Sequence, residues 1–217
     1  MVVVGRLVAI EGVDGAGKRT LAGALAKVLT AQGAKVARMA FPRYGSDIHA
    51  ELIREALHGR LGELAESVHG MAVLFALDRR AATAQLRALR EGHDVLLLDR
   101  YVASNAAYGA ARLHQDADGP FVEWVHELEI GRLGVPVPDA HLLLRVPTRL
   151  AQIRTARRAQ TEHARVTDRY EVDRELQARC AAVYDGLAAR CWLAPWSVLD
   201  GSRDPAPSEL AARLLDG

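Results

Sequence analysis

Cysteine, lysine, long apolar runs and an excess of either charge are all wanting in this chain. Its 217 residues hold two cysteines, Cys180 and Cys191, outside any C-x-x-C spacing. These cannot build a disulfide framework, nor by themselves a zinc site, and they read as reduced thiols of a cytoplasmic protein. No run approaches the roughly 18 apolar residues of a membrane-spanning helix, so no membrane partner is expected. The run from Val2 to Ile10 is broken by Gly5-Arg6 and followed by Glu11, which marks a strand rather than a signal peptide. The 28 basic and 27 acidic residues leave a net charge of +1. That balance gives no global reason to bind nucleic acid or an anionic membrane. Only 3 of the cations are lysine, against 25 arginines. With abundant alanine this reads as GC-rich coding bias, and it lowers the weight of any single arginine. The 8 histidines show no ligand spacing.

What remains is a chain that is 50% hydrophobic, too apolar for disorder and long enough for one substantial core. Short apolar runs alternate with longer helical patterns. Strands are expected at Arg6–Ile10, Lys35–Ala40, Val95–Leu98 with Asp99 at its end, Ala140–Leu144 and Trp196–Leu199. Helices are expected at about 18–32, 67–91, 120–133, 168–190 and 206–215. The two Leu-rich runs lack polar alternation, as parallel strands covered on both faces do. The expectation is an α/β domain, a parallel sheet with helices on both faces. No repeat and no Gly-, Ser- or Pro-rich linker divides residues 1–217.

The first strand runs into Gly12-Val13-Asp14-Gly15-Ala16-Gly17-Lys18-Arg19-Thr20 and then an Ala/Leu helix. Gly12, Gly17 and Lys18 fit the G-x-x-x-x-G-K core of a phosphate-binding loop. Its glycines let successive N–H groups turn inward on phosphate oxygens, the helix N-terminus adds positive potential, and the lysine reaches the β- and γ-phosphates. One position departs from the pattern. Arg19 stands where a Ser or Thr hydroxyl would hold Mg²⁺, and Thr20 follows it.

Three more segments narrow the chemistry. Phe41-Pro42-Arg43-Tyr44-Gly45 follows strand two. Phe75-Ala76-Leu77-Asp78-Arg79 lies on a helix. Asp99-Arg100-Tyr101-Val102-Ala103-Ser104-Asn105-Ala106-Ala107-Tyr108 leaves strand three. Asp99 stands where open parallel sheets carry their sites, and Arg100 suits bidentate phosphate binding. Phe75 and Arg79, four apart, share a helix face. Read without any resemblance, Phe75 is as readily a core residue, and Asp99-Arg100 a strand-end surface pair.

With Glu11-Gly12-Val13-Asp14-Gly15, these segments resemble the signature set of thymidylate kinases in their bacterial form, in the same order and over residues 7 to about 190. The resemblance implies a P-loop nucleoside monophosphate kinase fold, with five parallel strands in the order 2-3-1-4-5 and a lid at about 147–167. It implies transfer of the ATP γ-phosphoryl group to dTMP. ATP would lie on Gly12, Gly15, Ala16, Gly17, Lys18, Arg19 and Thr20. Arg43 and Arg100 would hold the dTMP phosphate. Phe75 would stack on thymine, Arg79 would bond a base oxygen, Ser104 and Asn105 would read the rest of the pyrimidine edge, and Tyr108 would lie under the deoxyribose. Asp14, Phe41, Tyr44 and Tyr170 complete the implied dTMP site. The implied catalytic groups are Lys18, Asp14, Asp99, Arg100, Arg154 and Arg158. Asp14 and Glu171 would share Mg²⁺, and family members are usually homodimers.

Residues 145–179 carry nine arginines and five acids. They read either as a solvated helix face or as a lid that closes cations over a polyphosphate. Some relatives carry a catalytic arginine in the P-loop. Gly15 stands at that position here, so a lid arginine is implied instead, with Arg154 and Arg158 best aligned and Arg165 a further candidate. Asp168 and Glu171 read as the acidic first turn of a helix or as contacts to the acceptor site. Two rivals stay open: a kinase for another nucleotide or a deoxynucleoside, and a P-loop switch with no acceptor.

Overall fold

The structure, a computed structural model, describes residues 4–161, 170, 173–203 and 205–216. Five strands form one sheet: β1 (Arg6–Glu11), β2 (Val36–Ala40), β3 (Val95–Asp99), β4 (Ala140–Arg145) and β5 (Trp196–Asp200). Their order is β2-β3-β1-β4-β5 and every pairing is parallel. That is the expected order. Leu7 to Ile10 of β1 and Val95 to Leu98 of β3 are sealed from solvent, because strands in a parallel sheet are covered on both faces.

Register puts the chemistry at one edge. Ile10 pairs with Asp99 and Asp99 with Ala40, so the segments after β1, β2 and β3 all leave the same end of the sheet. Three of the signature segments are those exits. α1 (Lys18–Ala31) follows the first, α2 (Ile48–Leu57) the second and α5 (Val102–Arg112) the third.

Two expected helices change shape. The 67–91 pattern is two helices, α3 (Val68–Ala81) and α4 (Thr83–Gly92), broken at Ala82. Buried Thr83 turns its hydroxyl back onto the Arg79 carbonyl at 3.3 Å, a back-bond that bends helices. The 120–133 pattern is α6 (Pro120–His126) followed by a π-helical turn, Glu127–Arg132. Beyond β4 lie α7 (Thr148–Thr161), α8 (Arg174–Ala189) and α9 (Pro207–Asp216). Within the expected 168–190 helix Tyr170 is helical, and α8 follows from Asp173, whose carboxylate caps the Leu176 N–H at 2.9 Å. Asp168, Glu171 and Arg165, and the side chains of Arg158 and Thr161, lie outside the described residues. Helices α2, α5 and α7 were not among the expected ones. Arginines and small residues mask the apolar period of α7, whereas α2, with Ala50, Ile53, Ala56 and Leu57 buried on one face, carries a helical period in its sequence.

Most buried residues form one core around the sheet. A second, small cluster of Ile53, Ala56, Leu57, Ala65 and Met71 lies between α2 and α3, and Phe75 packs against it half-buried. No described helix is long and apolar enough to cross a membrane.

Candidate active site

Residues 12–17 join β1 to α1, and Gly17 caps the helix with a left-handed backbone (φ 102°). Lys18, the first helical residue, bends its Nζ back to the carbonyls of Gly12 and Val13, each at 2.9 Å. Burial, with Arg100 beside it, pushes the ammonium down to about 8, against the pull of Asp14, Asp99 and Glu11. Gly15 has a second reason to be glycine besides its φ of 77°. A Cβ there would stand 2.1 Å from the Ala151 carbonyl oxygen and 2.7 Å from Thr155 Oγ1. Helix α7 therefore lies directly on the loop, and a side chain at position 15 would displace it. Arg19 and Thr20 are both exposed on the first turn of α1.

Asp14 is the meeting point. Its carboxylate takes the Arg100 guanidinium, Tyr108 Oη at 2.7 Å and Gln177 Nε2 at 3.1 Å. Gln177 Oε1 accepts from the Asp14 N–H in return at 3.2 Å. Burial opposes ionisation, yet Arg100 and Lys18, with the bonds from Tyr108 and Gln177, hold the Asp14 carboxyl well below the usual carboxylate range. Asp14 and Arg100 are each 18% exposed, enough to meet a ligand. Asp99 ends β3 half-buried, and its charge acts on both Lys18 and Arg100.

Arg100 is aimed by its backbone. Its φ of 67° is a left-handed conformation, costly for a side chain with a Cβ. The turn is pinned by Arg100 N–H to the Ile10 carbonyl at 3.0 Å and Tyr101 N–H to Glu11 Oε1 at 2.8 Å. Glu11, fully enclosed, also accepts from Ser104 Oγ at 2.6 Å and Tyr184 Oη at 3.2 Å. Burial pushes its carboxyl up, against Ser104, Arg100 and Lys18.

The acceptor-side residues divide. Arg79 is buried and paired with Glu129, Nε to Oε2 at 2.5 Å and Nη2 to Oε1 at 2.7 Å. Asn105 Nδ2 donates to the same Oε1 at 2.8 Å and to the Ala72 carbonyl at 3.0 Å. Phe75 stands between Ala72 and Arg79 on the same stripe of α3. Tyr108 has the Arg100 guanidinium over its ring at 5.2 Å, and the Tyr170 ring lies 6.2 Å away. Tyr170 Oη takes a hydrogen bond from Arg112 Nη1 at 2.5 Å.

Four more of the residues expected at the dTMP site stand as follows. Phe41, 4% exposed, packs into the main core against Tyr101, ring centroids 5.8 Å apart. Ser104 gives its hydroxyl proton to Glu11. Arg43 is held by Asp78, Nε to Oδ1 at 2.8 Å and Nη2 to the main-chain carbonyl at 2.9 Å, and by Asp47 at 2.8 Å. Only its Nη1 lacks a partner among the described residues. Tyr44 is exposed. On α7, Arg154 Nη1 donates to the carbonyls of Ala16 at 3.2 Å and Gly201 at 3.0 Å, which ties α7 to the phosphate loop.

Four residues that hold these side chains carried no assignment from sequence: Glu11, Asp78, Gln177 and Glu129. Glu11 and Asp78 stood inside quoted motifs, and an acid in an otherwise apolar run was the available signal. Gln177 and Glu129 gave none.

A thymidylate kinase family profile matches residues 10–193. A thymidylate kinase of Mycobacterium tuberculosis is 52% identical over 208 residues, covering 96% of each chain. One from Leifsonia xyli is 36% identical over 219 residues, 98% of this chain and 95% of its own. The solved structure of the Candida albicans thymidylate kinase superposes with a TM-score of 0.69 over 98% of this chain and 90% of that one, at 21% identity, a likeness of fold. Profile, relatives and fold agree, and the chain belongs to the thymidylate kinase family.

Proposed function

We propose that this chain transfers the γ-phosphoryl group of ATP to the phosphate of dTMP, releasing dTDP and ADP. An acceptor phosphate oxygen forms the new bond to the γ-phosphorus as the bond to the β,γ-bridging oxygen breaks. That oxygen is already ionised at neutral pH, so no general base is needed. The protein's task is positioning and charge. Lys18 meets the donor phosphates at the mouth of the loop. Arg100, with Arg43 through its Nη1, grips the acceptor phosphate. Phe75, Arg79 and Asn105 take the base, and Tyr108 lies under the sugar. Arg154 and Arg158 bring positive charge from the lid.

For Mg²⁺, Asp14 is an ionised hard oxygen donor partly open to solvent, which suits an ion that takes one or two carboxylates and otherwise waters and phosphate oxygens. Asp14, with Glu171, is the proposed protein share of its ligands. Bound there, the ion supplies neutralisation of phosphate charge. The same reading makes residues 1–217 one domain with a lid at about 147–167, working in the cytoplasm as a homodimer. Light scattering tests the dimer.

The observation that carries the reading is the convergence of Asp14, Arg100 and Tyr108 on one carboxylate beside Lys18, from segments more than 80 positions apart. A coupled assay of ADP release, with dTMP, with other monophosphates and with none, tests it. Release that needs no acceptor, or that runs faster with another nucleotide, overturns it.

A further inference from the structure

Glu129 is wholly enclosed and belongs to none of the signature segments. It sits on the π-helical turn Glu127–Arg132, a rare conformation that recurs at functional sites. Its carboxylate is fully engaged by two residues from different helices, Arg79 of α3 and Asn105 of α5.

The geometry fixes what those two residues can show to a ligand. Asn105 Nδ2 faces Glu129 Oε1 and the Ala72 carbonyl. An ion-paired carboxylate and a backbone carbonyl only accept, so the amide cannot turn over, and Oδ1 points the opposite way. Arg79 spends Nε and Nη2 on the carboxylate, which leaves Nη1. Neither Nη1 nor Oδ1 has a hydrogen-bond partner among the described residues. Arg79 and Asn105 retain 2% and 6% exposure. The pair thus offers one donor and one acceptor.

We propose that Glu129 is a positioning residue that sets the polarity of this edge, so that the site takes a 4-oxo pyrimidine and refuses a 4-amino one. Thymine presents an O4 acceptor to Arg79 Nη1 and an N3–H donor to Asn105 Oδ1. Cytosine presents the reverse, an amino donor against a guanidinium and a bare N3 against an oxygen. Mismatched buried polar groups of this kind are the strongest source of substrate rejection. The inference rests on reading Arg79 and Asn105 as the base site.

Glu129→Gln tests it. The amide can turn either face to Asn105, so the polarity is no longer imposed. The expected result is a fall of about tenfold or more in the dTMP-to-dCMP ratio of kcat/KM, through a higher dTMP KM and a gain with dCMP, while the ATP KM stays put. An unchanged ratio, even with a lower Tm, makes Glu129 a buried ion-pair partner and overturns the proposal. Glu129→Asp keeps an acceptor-only group one methylene short. It should raise the dTMP KM severalfold and still refuse dCMP, and it decides the matter if the Gln variant does not fold: an unmoved dTMP KM then overturns the proposal. Asn105→Ala separates the two readings. If it leaves dTMP binding intact, the base-site reading falls and takes this proposal with it. If it weakens dTMP while Glu129→Gln changes nothing, only the role of Glu129 falls.

Discussion

The guanidinium of Arg100 rests on the carboxylate of Asp14, and Tyr108 Oη closes on that carboxylate at 2.7 Å. The protein's own anion therefore occupies the cation proposed to hold the dTMP phosphate, and an incoming phosphate must share it. Charge-assisted bonds of this kind are worth about 1.5–3 kcal/mol each. Asp14→Asn removes the competing anion, so dTMP should bind severalfold tighter while kcat falls by at least about a hundredfold. Titration calorimetry for dTMP and steady-state rates check the two halves. Weaker dTMP binding with kcat intact would mean that Asp14 serves only to aim Arg100.

Lys18 carries a pH consequence. Its ammonium is pushed down to about 8, first by burial and then by Arg100. A polyphosphate brought against Nζ restores a high pKa, so ATP binding takes up protons where Lys18 is partly neutral. At pH 8 the uptake should be about half a proton per ATP, and at pH 7 about a tenth. Calorimetry in buffers of different ionisation enthalpy reads this directly. Lys18→Met should abolish the uptake, and equal uptake by both proteins would place the titrating group elsewhere.

Strand positions, the phosphate loop and the site edge were legible because each rests on local signals, whereas the strand order came only from the family resemblance. Apolar runs such as Val95–Leu98 mark buried strands, and glycines around Lys18 mark a loop before a helix. The partners of those residues were not legible. Nothing local to Arg79 says that its charge is matched 50 positions later by Glu129, or that Gln177 of α8 holds Asp14. Such pairings follow from tertiary packing, where a buried charge needs a partner whatever its place in sequence. The same cause gives Ser104 and Arg43 the partners Glu11 and Asp78, which nothing local to either residue announces.

The lid contact makes a paired prediction. Arg154 bridges the Ala16 and Gly201 carbonyls, and Gly15 leaves room for the Ala151 carbonyl. Arg154→Ala should lower kcat with little change in dTMP KM if Arg154 serves as the proposed lid cation, since such a charge acts most strongly on the transferring group. Gly15→Ala should lower kcat and also Tm, because a Cβ 2.1 Å from that carbonyl forces α7 off the loop. Wild-type kcat in Arg154→Ala would make this arginine a structural latch alone.

The last prediction concerns acid stability. His141 of β4 is fully enclosed, stacks on Trp196 with ring centroids 4.2 Å apart, and neither ring nitrogen has a hydrogen-bond partner among the described residues. Burial alone pushes its imidazole down to about 3 from an ordinary 6.5. The folded pKa is the lower one, so between those values the unfolded chain binds the extra proton. The linked stability is fully present above about pH 6.5 and drains away as pH falls toward 3. From this group alone the loss should reach about 2 kcal/mol at pH 5 and approach about 5 kcal/mol near pH 3. His141→Phe keeps a ring against Trp196 and removes both the titration and two unsatisfied nitrogens, whose burial costs about 1–3 kcal/mol each. Denaturant unfolding at pH 7.5 and pH 5 should show the variant at least as stable as wild type at the higher pH and clearly more stable at the lower. Parallel loss in the two proteins would mean that His141 is protonated, or bonded to an enclosed water, in the folded state.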